Sequence, residues 1–420
     1  MDVEKILGSL LSDRSREVVD LCRSLVRIPS EEPPGNIREI ALFIHRKFQG
    51  EGIESEVVGS DPNKPNVIAR ITGNGDGPHL VFNGHMDTFP VPDRSRWSFE
   101  PFGGEIVDGK LYGRGAADMK GGLACCIQSV IMLHELRDLF PGRVSITCVS
   151  DEEVGGQGGS RFLLKTYPDL YGDALINGEP SSPDNIRIGE KGQYWYRICC
   201  STKGGHAAYA GLKPNAISKL WNFFEDLLTF NEEQLTVPSS VVAMMKEAKD
   251  CYDGLLGPGS TEAALRQSIN IGNIRGGASV NMIPEYCEAE IDFRLPPGET
   301  GDGLEVWIKE KELNHPCCEI TKFKSEDATL TDPSHPLVRT IKIAAEEVRG
   351  HKVFTTYSLG GTEARLWRVR GVPAVTYGPN HHNMASADEY ILVEDILDVV
   401  KAQTLGAFRY LRNCVGRIDQ

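Results

Sequence analysis

The sequence predicts an α/β fold, with helices on both faces of a mixed sheet, interrupted by a smaller ferredoxin-like α+β domain. Three observations carry this. Short β-branched runs alternate with long helical patterns through the first 190 or so residues. The pattern then changes to strand–helix–strand–strand–helix–strand. After that, helix and strand alternation resumes to the end of the chain. The predicted division is 1–192 and 326–420 for the larger domain, with 193–325 inserted.

The elements follow in order. Residues 1–30, MDVEKILGSLLSDRSREVVDLCRSLVRIPS, form an amphipathic pattern with acids throughout and no apolar core of a signal peptide. NVIARITG, HLVFNG and VSITCVS are strands ended by turn residues. LACCIQSVIMLHELRDL has apolar residues at helical spacing. In the insert, YWYRICCST, SINIGNIRGG, YCEAEIDFRL and CEITKFK are strands, and PNAISKLWNFFEDLLTFN and GLEVWIKEKEL are helices. Residues 238–268 follow no assignable pattern. HPLVRTIKIAAEEVRG, GVPAVTYG and VEDILDVVKAQTLGAFRYL complete the larger domain as helix, strand and helix.

Composition narrows the function classes. The 420 residues carry a net charge of −14, which argues against nucleic acid or an anionic membrane as the main partner. No stretch is read as approaching the length needed to span a bilayer. The 11 cysteines include three adjacent pairs in apolar runs, Cys125–Cys126, Cys199–Cys200 and Cys317–Cys318, without zinc-finger spacing. They read as buried thiols in a reducing cytoplasm.

Histidines and acids gather where strands end, the place where open α/β sheets hold ligands. FNGHMDTFP offers His85 and Asp87, and an Asp two residues on can hold the second imidazole nitrogen. YGRGAADMKGG offers Asp118 just before a helix, where a simple helix cap is the competing reading. SDEEVGGQGG offers Glu152 and Glu153, otherwise a solvated turn. INGEP offers Glu179, and YGPNHHNMASADEY offers His381 and His382. Imidazole and carboxylate together suit a pair of divalent ions, zinc rather than calcium.

GHMDTFPV, GRGAADMKGG, DEEVGG and KGGHAAYA together resemble the co-catalytic zinc amidohydrolases and exopeptidases, the family of acetylornithine deacetylase, succinyl-diaminopimelate desuccinylase, aminoacylase and glutamate carboxypeptidase. The resemblance covers nearly the whole chain. It implies that His85 and Glu179 bind one Zn2+, Asp118 bridges two, and Glu153 with a C-terminal histidine binds the second. Co2+ substitutes for zinc. Asp87 orients His85, and Glu152 is the general base. The family's C-terminal histidine stands four residues before a glutamate, where this chain has Ala385 before Glu389. His382 is taken for the role, with His381 as the alternative.

The same resemblance makes the insert a lid and dimerisation domain. His206, in KGGHAAYA, then reaches the other subunit's site and stabilises an oxyanion, which implies a homodimer. Asn281, in GGASVNMIPE, and Arg294, in DFRLPPG, hold substrate, as do Gly360, Gly361 and Thr362 in SLGGTEARLW. The implied activity is metal-dependent hydrolysis of the amide bond of an N-acyl amino acid. A dipeptidase or carboxypeptidase with the same metals is the neighbouring reading, and a binding protein that has lost catalysis is the distant one.

Overall fold

The computed structural model describes residues 3–233 and 236–413. In chain order the strands used below are β1 (Glu54–Val58), β2 (Asn66–Thr72), β3 (His79–His85), β4 (Arg143–Val149), β5 (Ala174–Asn177), β6 (Asn185–Glu190), β7 (Gly192–Ser201), β8 (Ser268–Gly276), β9 (Tyr286–Leu295), β10 (Cys318–Glu326) and β11 (Ala374–Thr376). The helices are α1 (Gly121–Glu135), α2 (Ala216–Leu228), α3 (Gly301–Glu312), α4 (Pro336–Arg349) and α5 (Val393–Asn413). The chain divides into two compact units. One holds the chain up to Ile188, Thr331–Thr356 and the chain from Thr362; the other holds Gly189–Leu330 and Tyr357–Gly361.

The sheet of the first unit runs β1-β2-β4-β3-β5-β11-β6. Its four middle strands, β4, β3, β5 and β11, are mutually parallel. β2 joins β4, and β6 joins β11, antiparallel, so the sheet is mixed. Every residue of β3 and β5 is buried. That explains why HLVFNG and ALIN read as continuous apolar runs, as strands covered on both faces do. One face packs on an apolar cluster that includes Val81, Leu163, Leu170, Leu175 and Trp367. The other meets α1, whose Leu123 and Cys126 lie against the backbone of Gly84 and Gly178.

The first turn of α1 abuts the chain just past β5. A Cβ on Gly122 would lie 1.7 Å from the Gly178 carbonyl oxygen, so only glycine permits this approach. With the turn before it, this helix (Ala116–Glu135) is long and apolar enough to cross a membrane by length and composition, contrary to the sequence expectation. Its apolar window is 94% buried inside the protein, because it is the central helix of the unit.

The second unit is a four-stranded antiparallel sheet in the order β8-β9-β7-β10, with α2 and α3 supplying the crossovers. This is the ferredoxin-like order that the βαββαβ pattern predicts. β9 alternates buried and half-exposed residues along its length. Its inner face, with Tyr194, Ile198 and Cys200 of β7, packs on Leu220, Phe223, Leu227 and Leu304. The same alternation splits two cysteine pairs. Cys200 and Cys318 face inward, whereas Cys199 and Cys317 are only half-buried, so the expectation of wholly buried pairs is corrected.

The unassigned stretch from 238 to 268 is helical in three short pieces, Ser239–Glu247, Lys249–Leu256 and Ser260–Ala264. Gly257 and Gly259, both at positive φ, break the second from the third. Asp253 then closes the break by accepting the Thr261 amide at 2.7 Å. The Tyr252 hydroxyl donates to the Tyr357 carbonyl at 2.9 Å, which ties these helices to the returning Tyr357–Gly361 segment.

Candidate metal centre

Each of the four parallel strands delivers a candidate residue at its carboxyl end. His85 is the last residue of β3, Glu152 and Glu153 follow β4, Glu179 follows β5, and His381 and His382 follow β11. Parallel neighbours lie about 4.8 Å apart. Side chains leaving adjacent strand ends therefore meet without long loops.

Two overlapping donor groups result. His85, Glu152 and Glu179 offer ligand atoms within 4.8 Å of one another, and so do His85, Asp118 and Glu153. His85 is fully buried, with Nε2 3.1 Å from Asp118 Oδ1 and 3.5 Å from Glu179 Oε1. Asp118 is not a helix cap: its backbone is extended (φ −124, ψ 99), and Lys120 occupies the N-cap of α1.

Asp87 does more than the sequence suggested. The imidazole Nδ1 lies 2.9 Å from the Asp87 backbone carbonyl, and the carboxylate stands further off at 3.5 Å. That carboxylate instead accepts the amides of Glu152 (3.2 Å) and Glu153 (3.0 Å). Asp87 thus fixes the imidazole and the two glutamates together. Asp151, at positive φ, accepts the amides of Gly158 and Gly159 and closes the loop behind them. Glu152 and Glu153 sit in a single turn, Glu152–Val154, so they enter different donor groups by turning about the helix axis and not by strand alternation.

Crowded acids shift one another. Burial first, then repulsion from neighbouring carboxylates such as Glu179 and Glu363, raises Glu152 well above its ordinary range. Burial, then Asp118, pushes Glu153 up to about 10. Glu179 is raised by burial and Asp118, against the His85 hydrogen bond. Burial would lower His85, yet hydrogen bonds to Asp118, Asp87 and Glu179 outweigh it and raise the imidazole well above its usual value. A cluster that holds protons this firmly is one that a cation would stabilise. Glu153 Oε1 is buried without a hydrogen-bond partner, which leaves a lone pair for such an ion. One imidazole with several carboxylates fits a first-row divalent metal.

The C-terminal histidines stand in neither group. His382 stacks on Tyr390, centroids 4.5 Å apart, and its Nε2 is buried and unpartnered. His381 has an unpartnered buried Nδ1. Burial and Arg187 lower the His381 pKa while Asp118 opposes them, so this imidazole feels the donor group's charge. Burial and then Lys110 set the shift of His382. Two groups near the centre went unread in the sequence. Glu363 follows Thr362 in a stretch already singled out, and burial raises it to about 7. Arg187 of β6 lowers Glu179.

The remaining candidates belong to the second unit, except Thr362. His206 is exposed, its Nδ1 accepting the Ala208 amide at 3.1 Å. Asn281 lies beside it, because Ala207 N–H donates to the Asn281 carbonyl and Gly205–His206 pairs with Met282–Ile283. Arg294 Nε is engaged by both oxygens of Asp292, at 3.0 and 2.8 Å. The Gly360 amide donates to Ser358 Oγ at 3.2 Å.

Comparison with known proteins places this geometry. Residues 81–405 match the model of peptidase family M20/M25/M40. The chain is 30% identical over 397 residues to a succinyl-diaminopimelate desuccinylase of Gluconacetobacter diazotrophicus, covering 92% of this chain and 95% of that one. It is 29% identical over 403 residues to the enzyme of the same name from Rhodospirillum centenum, covering 91% and 94%. In fold it is similar to an M20 family metallo-carboxypeptidase of Sulfolobus solfataricus, with a TM-score of 0.78, 21% identity, and coverage of 94% and 99%. It is likewise similar to human carnosine dipeptidase 1, with a TM-score of 0.75, 17% identity, and coverage of 98% and 99%.

Proposed function

This chain belongs to peptidase family M20/M25/M40, and from that premise we propose that it removes an acidic acyl group, succinyl or a close relative, from the nitrogen of an amino acid. It is a metal-dependent hydrolase of amide bonds, which sets aside the non-catalytic reading. The observation that carries the proposal is the pair of donor groups sharing His85. The curated relatives named as desuccinylases support the acyl group.

We assign His85, Glu179, Asp118 and Glu153 to two divalent ions, zinc with cobalt as a substitute, and give the C-terminal place to His382 or His381. Ions held there would activate a water and polarise the scissile carbonyl. Glu152 takes the proton of the attacking water and returns it to the departing nitrogen. Burial raises its pKa, which suits a group that must both accept and release a proton. Asp87 keeps Glu152 in place through the amide it holds.

In the second unit, Asn281 and Arg294 bind substrate, as do Gly360, Gly361 and, in the first, Thr362. The second unit serves as lid and dimerisation domain, and His206 of the partner subunit stabilises the oxyanion, in a cytoplasmic homodimer. His206→Ala lowers kcat by about 10²-fold, as loss of an oxyanion donor does, with ion content unchanged. Zinc loss in that variant would instead make His206 a ligand.

A dipeptidase or carboxypeptidase is the second reading, favoured by the likeness of fold to peptidases. A hydrolysis screen separates them: N-succinyl, N-acetyl and N-carbamoyl amino acids against dipeptides, each with zinc or cobalt. Preference for N-succinyl substrates supports the proposal. Turnover of dipeptides alone replaces it with the second reading.

A further inference from the structure

We propose that Glu389 is the positioning residue of Asp118, and that its pair with Arg114 sets one metal-binding loop against the loop that carries the C-terminal histidines. The proposal rests on the reading of Asp118 as a bridging ligand. Glu389 and Arg114 are 1% and 2% exposed. Glu389 Oε1 accepts two backbone amides, from Ala117 at 2.9 Å and from Asp118 itself at 3.2 Å. Its Oε2 pairs with Arg114 Nη1. Arg114 Nη2 then donates to the Ala385 carbonyl at 3.2 Å, and the Gly113 amide donates to the Glu389 carbonyl at 2.9 Å.

The need for this carboxylate follows from the backbone. Asp118 and Met119 both depart from helical geometry at the entry to α1, and Asp118 is extended. Buried amides there require an acceptor from elsewhere. Glu389 supplies it to the amide of the residue whose side chain reaches His85. Fixing that amide fixes where the Asp118 carboxylate leaves the chain. The same ion pair holds residue 385, three positions beyond His382. One side chain thus sets the spacing between donor residues that lie far apart in sequence. Partners of this kind, one bond removed from a ligand, carry about 10–100-fold in metal affinity.

Removing one member of a buried ion pair strands the other, so the test neutralises both. Arg114→Met with Glu389→Leu removes the charges and the acceptor. Arg114→Met with Glu389→Gln removes the charges and keeps an acceptor. Zinc stoichiometry and affinity are read by competition with a chromophoric chelator, and the visible spectrum of the cobalt form is recorded. The leucine variant should bind its ions about 10–100-fold more weakly, with an altered cobalt spectrum. The glutamine variant, which keeps an acceptor for the Ala117 and Asp118 amides but loses the Arg114 link, should fall below wild type by clearly less than the leucine variant does. Wild-type binding by the leucine variant overturns the proposal, and so does equal loss in both. If the leucine variant does not fold in its ion-free form, Glu389→Asp replaces it. The shorter carboxylate should also weaken ion binding, and wild-type affinity again overturns the proposal. Asp118→Asn, run alongside, tests the premise separately: two ions at wild-type affinity there would remove the bridging role whatever Glu389 does.

Discussion

Glu152→Gln should leave both ions bound and lower kcat by roughly 10²–10⁴-fold, the contribution typical of a general base. Glutamine keeps the shape and the Asp87 bond to the backbone amide, which does not depend on the side chain. It cannot take a proton from water. Ion content by elemental analysis, measured beside kcat, checks the assignment. The outcome is informative because Glu152 stands within 4.8 Å of His85 and Glu179 as a possible donor. Loss of an ion in the glutamine variant would make Glu152 a ligand and pass the role of base to another acid. Glu363, buried beside this charge, would be the next to test.

Stripping the metal should make stability fall more steeply as pH rises. In the ion-free protein, Glu152, Glu153 and Glu179 are all raised by burial and mutual repulsion, and His85 is raised by its carboxylate neighbours. At these four groups the folded state therefore holds more protons than the unfolded one, and their contribution to stability falls as pH rises. Below about pH 4.5 the acids are protonated in both states and carry no penalty. The loss begins as the unfolded glutamates ionise and continues toward about pH 10, where folded Glu153 titrates. In a melting series from pH 5 to pH 9, the Tm of chelated protein should fall progressively further below that of protein with zinc. Protein with zinc should show a flatter profile, so the gain in Tm from zinc grows with pH. A gain in Tm from zinc that does not grow with pH would mean that these acids are not buried together.

The sequence made the strands of the first unit legible because both their faces are covered, which leaves unbroken apolar runs ended by turns. It made His85, Glu152, Glu153 and Glu179 legible because each follows such a run, whereas Asp118 stands just before α1. What it hid was mostly non-local. The Asp87 carboxylate binds amides 65 and 66 positions away, and nothing in HMD announces that. Glu389 and Arg114 meet across 275 residues. The helices from 239 to 264 are short, and contacts such as Tyr252 to Tyr357, not periodicity, hold them. Ala385 obscured the choice of a candidate C-terminal ligand, since the family spacing points at a residue without a donor. The two histidines upstream are told apart by their neighbours, Asp118 for one and Tyr390 for the other.

The late position of β11 has a consequence in time. β5 leaves the ribosome roughly 200 residues before the strand that pairs with it in parallel. At about 5–20 residues per second, that interval is on the order of ten seconds or more. Meanwhile β7 to β10 are all synthesised, and the second unit completes its own sheet from neighbouring sequence. The nascent first unit then carries the five candidate donors His85, Asp118, Glu152, Glu153 and Glu179, none of the C-terminal histidines, and an open β5 edge. Unpaired edges invite foreign strands. The interval between β5 and β11 is thus when this chain most needs protection, and when free metal can meet an incomplete set of ligands.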